Sequence, residues 1–256
     1  MSRGVAELAR RLRAARSVVA LTGAGISVPS GIPDFRTPGT GLWANVDPMG
    51  VAHIDAWRGD PGRFWQFYGA RFVGLRSKVP NGAHAALVEL ERRGLLDAVV
   101  TQNIDMLHRK AGTRELVEVH GTIEHSVCLR DGSRYVLDDV LERLGQADDG
   151  VPRCDEGHPL KPDVVLFGEM LSETALQRAH DLASGADVLL CVGSSLEVHP
   201  IAQLPDVTQA GGGAVALVTA GPTPWDSRAV AKLSGDVVEE LEGLLVALDD
   251  LEASAS

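Results

Sequence analysis

Four short polar or glycine-rich strings each follow an apolar run, and they hold most of the residues suited to chemistry. Gly23-Ala24-Gly25-Ile26-Ser27 follows the run 17–22. Its two glycines let a backbone approach a phosphate, because no Cβ stands in the way, and amides at a strand-to-helix turn point at an anion. Gln102-Asn103-Ile104-Asp105 follows 97–101, at the carboxyl end of a strand, where open α/β sheets bind ligands. His120-Gly121 closes the run 116–120; an imidazole with an ordinary pKa of about 6.5 suits a proton acceptor near neutral pH. Gly193-Ser194-Ser195 closes the run 186–193, and hydroxyls just after a glycine can hydrogen-bond a sugar or phosphate. Each string also has a plain reading. The first is a glycine turn with Val28 where the dinucleotide fingerprint wants a third glycine. Asn103 and Asp105 can cap the next helix, His120 can be a packed side chain, and Ser194 can sit in an ordinary loop.

Two further groupings carry charge or aromatic faces. Ser30-Gly31-Ile32-Pro33 cannot be helix interior and leads into Asp34-Phe35-Arg36: an acid, an aromatic face and a fixed cation. Tyr68-x-x-Arg71 falls in a helical stretch after Asp60-Pro61, so phenol and guanidinium share a face. Such a pair can clamp a carboxylate, the guanidinium bidentately; the plain alternative is an interior tyrosine beside a surface arginine.

The elements that must position these residues alternate between strand and helix. Val5, Leu8 and Leu12 mark an amphipathic helix over 5–15, ahead of the strand 17–22. The segment 61–72 reads as a helix with a heavy aromatic face, most of it core. Ala83 to Arg93 is a helix closed by Gly94. Strands follow at 97–101 and 116–120, with a short helix over 105–111 between them. Residues 121–161 turn polar and lose periodicity, as an inserted module would. The sheet pattern resumes at 163–167, 186–193 and 214–219, with helices at 172–184 and 237–251 and a frayed tail at 252–256. Strands alternating with helices give an α/β fold with a doubly wound parallel sheet.

The totals agree. A chain of 256 residues buries a large core, and 45% hydrophobic residues fit a globular protein. A net charge of −11 argues against a nucleic-acid partner. No apolar run is long enough to span a bilayer, and the first residues lack a signal-peptide core, which predicts a cytoplasmic chain. Three cysteines make no disulfide framework, and Cys191 lies in a strand as a core residue.

Taken together, the strings resemble the sirtuins, the NAD-dependent protein-lysine deacylases. Gly23 to Arg36 is similar to that family's first motif, Gln102-Asn103-Ile104-Asp105-x-Leu107-His108 to its second, and His120 to its catalytic histidine. Gly193-Ser194-Ser195-Leu196-Glu197-Val198-His199-Pro200 is similar to the motif that contacts adenosine. Met106 departs from the family's usual Gly or Asn. His84, His108 and His125 match no family role and are read as structural.

The resemblance implies a Rossmann-like domain over 1–36, 82–120 and 162–251. It implies a small module over 37–81 and 121–161, part helical and part a degenerate zinc ribbon. NAD, as co-substrate, would meet Gly23, Ala24, Gly25, Ser27, Asp34, Phe35, Arg36, Gln102, Asn103, Ile104, Asp105, Gly193, Ser194, Ser195, Thr219 and Asp236. Asn103 and His120 would be catalytic. An extended acyl-lysine peptide would lie between Val165, Phe167, Gly168, Glu169 and Glu197, Val198, by β-augmentation. The Tyr68/Arg71 pair resembles the branch that removes succinyl and malonyl groups. The family's structural zinc normally has four cysteines; here Cys128-x-x-Asp131 and Cys154-x-x-Gly157-His158 each lack one. Asp131 and His158 can serve as ligands, so either a mixed site or a module without metal follows. The products implied are free lysine, nicotinamide and O-acyl-ADP-ribose. An ADP-ribosyltransferase or NAD glycohydrolase on the same fold, or a non-catalytic NAD-binding module, are the alternatives.

Overall fold

A computed structural model of the protein describes residues 3–34 and 47–255. Helix α1 (Arg3–Ala14) buries Val5, Leu8, Ala9 and Leu12 along one face, the spacing of an amphipathic helix. Strand β1 (Val18–Thr22) is buried at every position, as expected of a parallel strand covered on both faces. A 3-10 turn, Ala24–Ser30, follows it directly. Helices α2 (Pro48–Ala52), α3 (Ile54–Gly59) and α4 (Pro61–Arg76) precede α5 (Gly82–Arg92) and β2 (Ala98–Thr101). Asp60 caps α4 by accepting the Arg63 N–H, with Pro61 in the first turn, where its missing N–H costs nothing. Then come α6 (Leu107–Ala111), β3 (Leu116–Glu118), β4 (Gly121–Cys128), β5 (Arg134–Val136), α7 (Leu137–Gln146) and β6 (Leu160–Val164). The chain closes with α8 (Glu173–Gly185), β7 (Val188–Val192), α9 (Leu204–Ala210), β8 (Ala214–Val218), β9 (Ala231–Leu233) and α10 (Val237–Ala255).

Six strands form one sheet in the order β3-β2-β1-β7-β8-β9, with every neighbouring pair parallel. Winding runs one way from β1 through β2 to β3, then restarts beside β1 at β7 and runs the other way. The connections therefore part above the carboxyl ends of β1 and β7, which opens the crevice where doubly wound sheets bind nucleotides. Helices α1, α5 and α10 cover one face through Leu8, Leu12, Leu87, Leu90, Leu244 and Leu248. On the other face α8 and α9 contribute Ala179, Ala183 and Leu204. A second core joins α2 to α4 with a three-stranded antiparallel sheet, β5-β4-β6, around Trp65, Phe72, Ile123 and Leu160. No helix among the described residues is long and apolar enough to cross a membrane.

Three expectations change. Residues 163–167 are not a strand of the parallel sheet; β6 pairs antiparallel with β4. Its Pro162 is tolerated because β6 is an edge strand, and the small sheet thus runs past residue 161. Residues 121–161 are not patternless, since they hold β4, β5 and α7. The tail at 252–255 is helix, with Glu252 paired to Arg13 at 2.7 Å.

Candidate functional site

The turns after β1 and β7 are laced together. The Gly23 N–H donates to Val192 O (3.0 Å) and the Gly25 N–H to Gly193 O (2.8 Å). A Cβ at Gly25 would stand 2.7 Å from Gly193 Cα, and one at Gly193, where φ is +61°, would stand 2.2 Å from Ile26 N. The glycines thus let two backbones touch. Because the Gly23 and Gly25 amides are engaged in that contact, they do not face an anion as the sequence suggested; the Ala24 amide between them takes no part in it.

Beneath this lattice lies a buried polar cluster of Ser27, Asn103 and Asp105. Asp105 accepts the Ser27 hydroxyl at 2.6 Å and, through its other oxygen, the Leu107 N–H at 2.9 Å. One carboxylate thus holds the serine and the first amide of α6 at once. Asn103 Nδ2 donates to Gly23 O (3.1 Å) and Ser27 Oγ (3.2 Å). Gln102 Nε2 donates to Ser194 Oγ at 3.0 Å, which joins the β2 and β7 ends. Ile104 O accepts the Ile123 N–H, tying this loop to β4. Met106 has φ +66°, a left-handed conformation that Gly and Asn adopt more readily, which gives the physical reason for the family's preference there.

His120 stands between β3 and β4. Its Nδ1 lies 3.0 Å from Gln102 O; a carbonyl only accepts, so Nδ1 carries the proton. In the neutral ring Nε2 is then the basic atom, and it has no partner among the described residues. Burial pulls the imidazole pKa below 6.5, against the smaller, opposite pull of the Gln102 carbonyl. The ring is thus neutral at pH 7.

Behind the cluster, His84 and His108 face each other with ring centroids 4.9 Å apart. His108 Nε2 meets Thr22 Oγ1 at 2.9 Å, and Thr22 meets Thr101 at 2.8 Å. Burial lowers His84 to about 4 and His108 to about 3. Their neutral forms favour folding above pH 6.5, the unfolded value, and that stability is lost as pH falls toward 4. Each histidine then adds a slope of up to ~1.4 kcal/mol per pH unit. Urea unfolding from pH 7 to pH 4 should show this, and His84→Gln with His108→Gln should flatten it.

Sequence reasoning missed Asn81. It caps α5, and its Nδ2 donates to Ile26 O (2.8 Å) and Ser30 Oγ (3.0 Å), holding the 3-10 turn. The signal was present in Asn81-x-x-His84, an N-cap box in which the histidine accepts the Asn81 N–H at 3.4 Å.

The remaining site residues are distributed as follows. Asp34 and Ser195 are half-buried; Phe35 and Arg36 lie outside the described residues. Thr219 follows β8 and donates its N–H to Leu233 O. Asp236 is exposed and caps α10 through the Val238 and Glu239 N–H groups. Val198 O accepts the Ala202 N–H, and Glu197 is exposed. Phe167 engages both backbone groups with Ala52 and Ile54, so of the expected peptide edge it offers its exposed ring rather than its backbone. On α4, burial raises the Tyr68 phenol to about 12, and its hydroxyl has no partner among the described residues. Arg71 lies over the Phe67 ring at 3.4 Å and donates to Phe67 O at 2.5 Å, with no carboxylate partner among the described residues and a buried, unpaired Nε.

Ligand atoms of Cys128, Asp131 and Cys154 lie within 4.8 Å of one another. Both cysteines sit in tight turns, with the Gly132 N–H on Cys128 O and the Gly157 N–H on Cys154 O, each at 2.9 Å. The His158 N–H donates to Cys154 Sγ at 3.3 Å. Two thiols and a carboxylate so gathered fit zinc; the His158 ring lies outside that three-residue group. Zinc there would brace the small sheet. Strand β4 (Gly121–Cys128) separates Cys128 from His120 by eight residues, roughly 26 Å at ~3.3 Å per residue, too far for zinc to act in chemistry at the imidazole.

The model of the Sir2 family matches residues 23–200. An NAD-dependent protein deacetylase of Thermotoga maritima is 42% identical over 229 residues, which is 89% of this chain and 92% of that protein. An NAD-dependent protein deacylase of Thermococcus sibiricus is 42% identical over 246 residues, 93% of this chain and 94% of that one. A solved structure of Sir2 with a p53 peptide and NAD+ superposes with a TM-score of 0.87 at 39% identity, covering 98% of each chain. The chain belongs to the Sir2 family, the sirtuins that its motifs resemble.

Proposed function

We propose that this chain is an NAD-dependent protein-lysine deacylase, and that its small module favours acidic acyl groups. The observation that carries the reaction is His120, a neutral imidazole whose Nδ1–H is fixed on Gln102 O and whose Nε2 has no partner among the described residues. NAD, when bound, supplies the sugar carbon that the acyl-lysine oxygen attacks and the hydroxyls to which the acyl group passes. The residues present fit that role: a crevice at the sheet's switch point, a buried amide and carboxylate, and an unpaired base. His120 Nε2 takes a proton from a ribose hydroxyl. Asn103 and Asp105, the latter held by the Ser27 hydroxyl, orient the nicotinamide end. Their burial keeps bulk water out, which strengthens these polar contacts. The turns at Gly25 and Gly193, joined below by Gln102 and Ser194, hold the adenosine half. Relatives named as a deacetylase and a deacylase support the reaction class.

The preference for acidic groups rests on Tyr68 and Arg71. A half-buried guanidinium without a carboxylate partner, one helical turn from an unpaired phenol, suits a succinyl or malonyl carboxylate. The test is turnover of acetyl-, succinyl- and malonyl-lysine peptides with NAD. The acidic groups should turn over faster, and Arg71→Met should cost them about 10- to 100-fold, the worth of a charged hydrogen bond, while sparing acetyl-lysine. Equal loss on all three peptides would make Arg71 a residue of the fold.

A further inference from the structure

Lys161 is the only lysine or arginine among the described residues buried as deeply as the core. Its ammonium has three donors, and all three are used: on Pro162 O (3.2 Å), on Val164 O (2.8 Å) and on Glu169 Oε2 (2.9 Å). The same Glu169 oxygen accepts the Leu166 N–H at 2.9 Å, and the Glu169 N–H returns to Leu166 O at 3.0 Å. Residues 166–169 are thus a tight turn folded over an ion pair. Gly168 sits at its third position with φ +82°, and a Cβ there would meet the His53 ring at 2.5 Å, as expected where a turn demands glycine.

This turn connects the catalytic residue to the small module. The Val165 N–H donates to His120 O at 2.8 Å. Two residues on, Phe167 bonds Ala52 and Ile54, each at 2.9 Å, and leaves its ring 46% exposed. The edge that a deacylase would offer to an extended peptide is therefore shaped from beneath by a cation on β6. No residue of the nucleotide cluster touches that cation.

We propose that Lys161 is a positioning residue for the acyl-lysine peptide: through Glu169 it sets the course of Val165 to Glu169, and it has no part in holding NAD. This rests on the deacylase reading above. The ion pair holds the Val164 carbonyl and the Leu166 N–H, the groups on either side of Val165, and through Glu169 it fixes the turn that carries Gly168. Without the ammonium, two carbonyls lose its hydrogen bonds, the Glu169 carboxylate keeps only the Leu166 N–H and the turn loosens, while the contacts of Ser27, Asn103 and Asp105 stay intact.

The test is steady-state kinetics of the full chain with NAD and an acyl-lysine peptide, for wild type, Lys161→Met, Lys161→Arg and Glu169→Gln. Lys161→Met should raise the peptide KM at least tenfold, with the NAD KM and kcat within twofold of wild type; Lys161→Arg, which keeps a cation, should recover most of the loss. Should Lys161→Met fail to fold, Glu169→Gln decides. It keeps an acceptor for the Leu166 N–H and should raise the peptide KM about fivefold without moving the NAD KM. An unchanged peptide KM, or parallel changes in both KM values and kcat, overturns the proposal. A wild type that consumes no acyl-peptide at all overturns the deacylase reading instead.

Discussion

His120→Ala is expected to lower deacylation by about 10²- to 10⁴-fold, the usual worth of a positioned general base, while NAD still binds within a few-fold of wild type. The reason is geometric. The Gln102 carbonyl fixes the proton on Nδ1, so one ring nitrogen positions the side chain and the other does the chemistry. Alanine removes both nitrogens but leaves the neighbouring cluster in place, because Ser27, Asn103 and Asp105 are bonded to one another and not through His120. A pH profile gives the sign. The neutral ring is the active form, and burial holds its pKa below 6.5, so kcat/KM should be level at pH 7 and fall only on the acid side of 6.5. An acid limb centred above 6.5 would mean that burial does not govern this imidazole and would contradict the neutral resting ring.

Gly193→Ala should have the largest effect on the folded state. The new Cβ would stand 2.2 Å from Ile26 N and 2.6 Å from Gly25 C, both backbone atoms, at a φ of +61°. The left-handed conformation alone costs about 1–2 kcal/mol, and overpacking against an unyielding neighbour adds about 1–3 kcal/mol. The loss should therefore be about 2–5 kcal/mol, together with loss of NAD binding, since the displaced turn is the one that lines the crevice. Gly94→Ala is the control: φ is +68° there, but nothing lies within 4 Å of the added carbon, so only the conformational cost applies. Urea unfolding and an NAD titration of both variants would check this. Equal effects at the two positions would show that the contact between turns is unimportant.

The parallel sheet was largely legible because its strands are buried on both faces and read as unbroken apolar runs, Val18–Thr22 and Val188–Val192 above all. The four strings stand out in the sequence because each lies at the end of such a run, and the fold brings Ser27, Asn103 and Asp105 together beside Gln102, which meets Ser194 and His120. Other features depend on partners remote in the chain. Strand β6 contains Pro162 and a lysine, which resembles a loop until β4 is beside it. Strand β9 has three residues and exists by pairing with β8. Gly25 looked like a phosphate contact, yet its neighbour is Gly193, 168 residues away in the chain. Asp105 meets the plain expectation, since one carboxylate oxygen accepts the first amide of α6, and its other oxygen holds Ser27, a partner 78 residues away that the sequence does not reveal.

In a deacylase, nicotinamide release is coupled to an acyl-lysine. Wild-type protein with NAD and a succinyl-lysine peptide, followed by mass spectrometry, should give nicotinamide, free lysine peptide and O-acyl-ADP-ribose in equal amounts, with negligible nicotinamide when the peptide is left out. Nicotinamide released at the same rate without peptide, with ADP-ribose free in solution or attached to protein, would contradict it and make this chain a glycohydrolase or an ADP-ribosyltransferase.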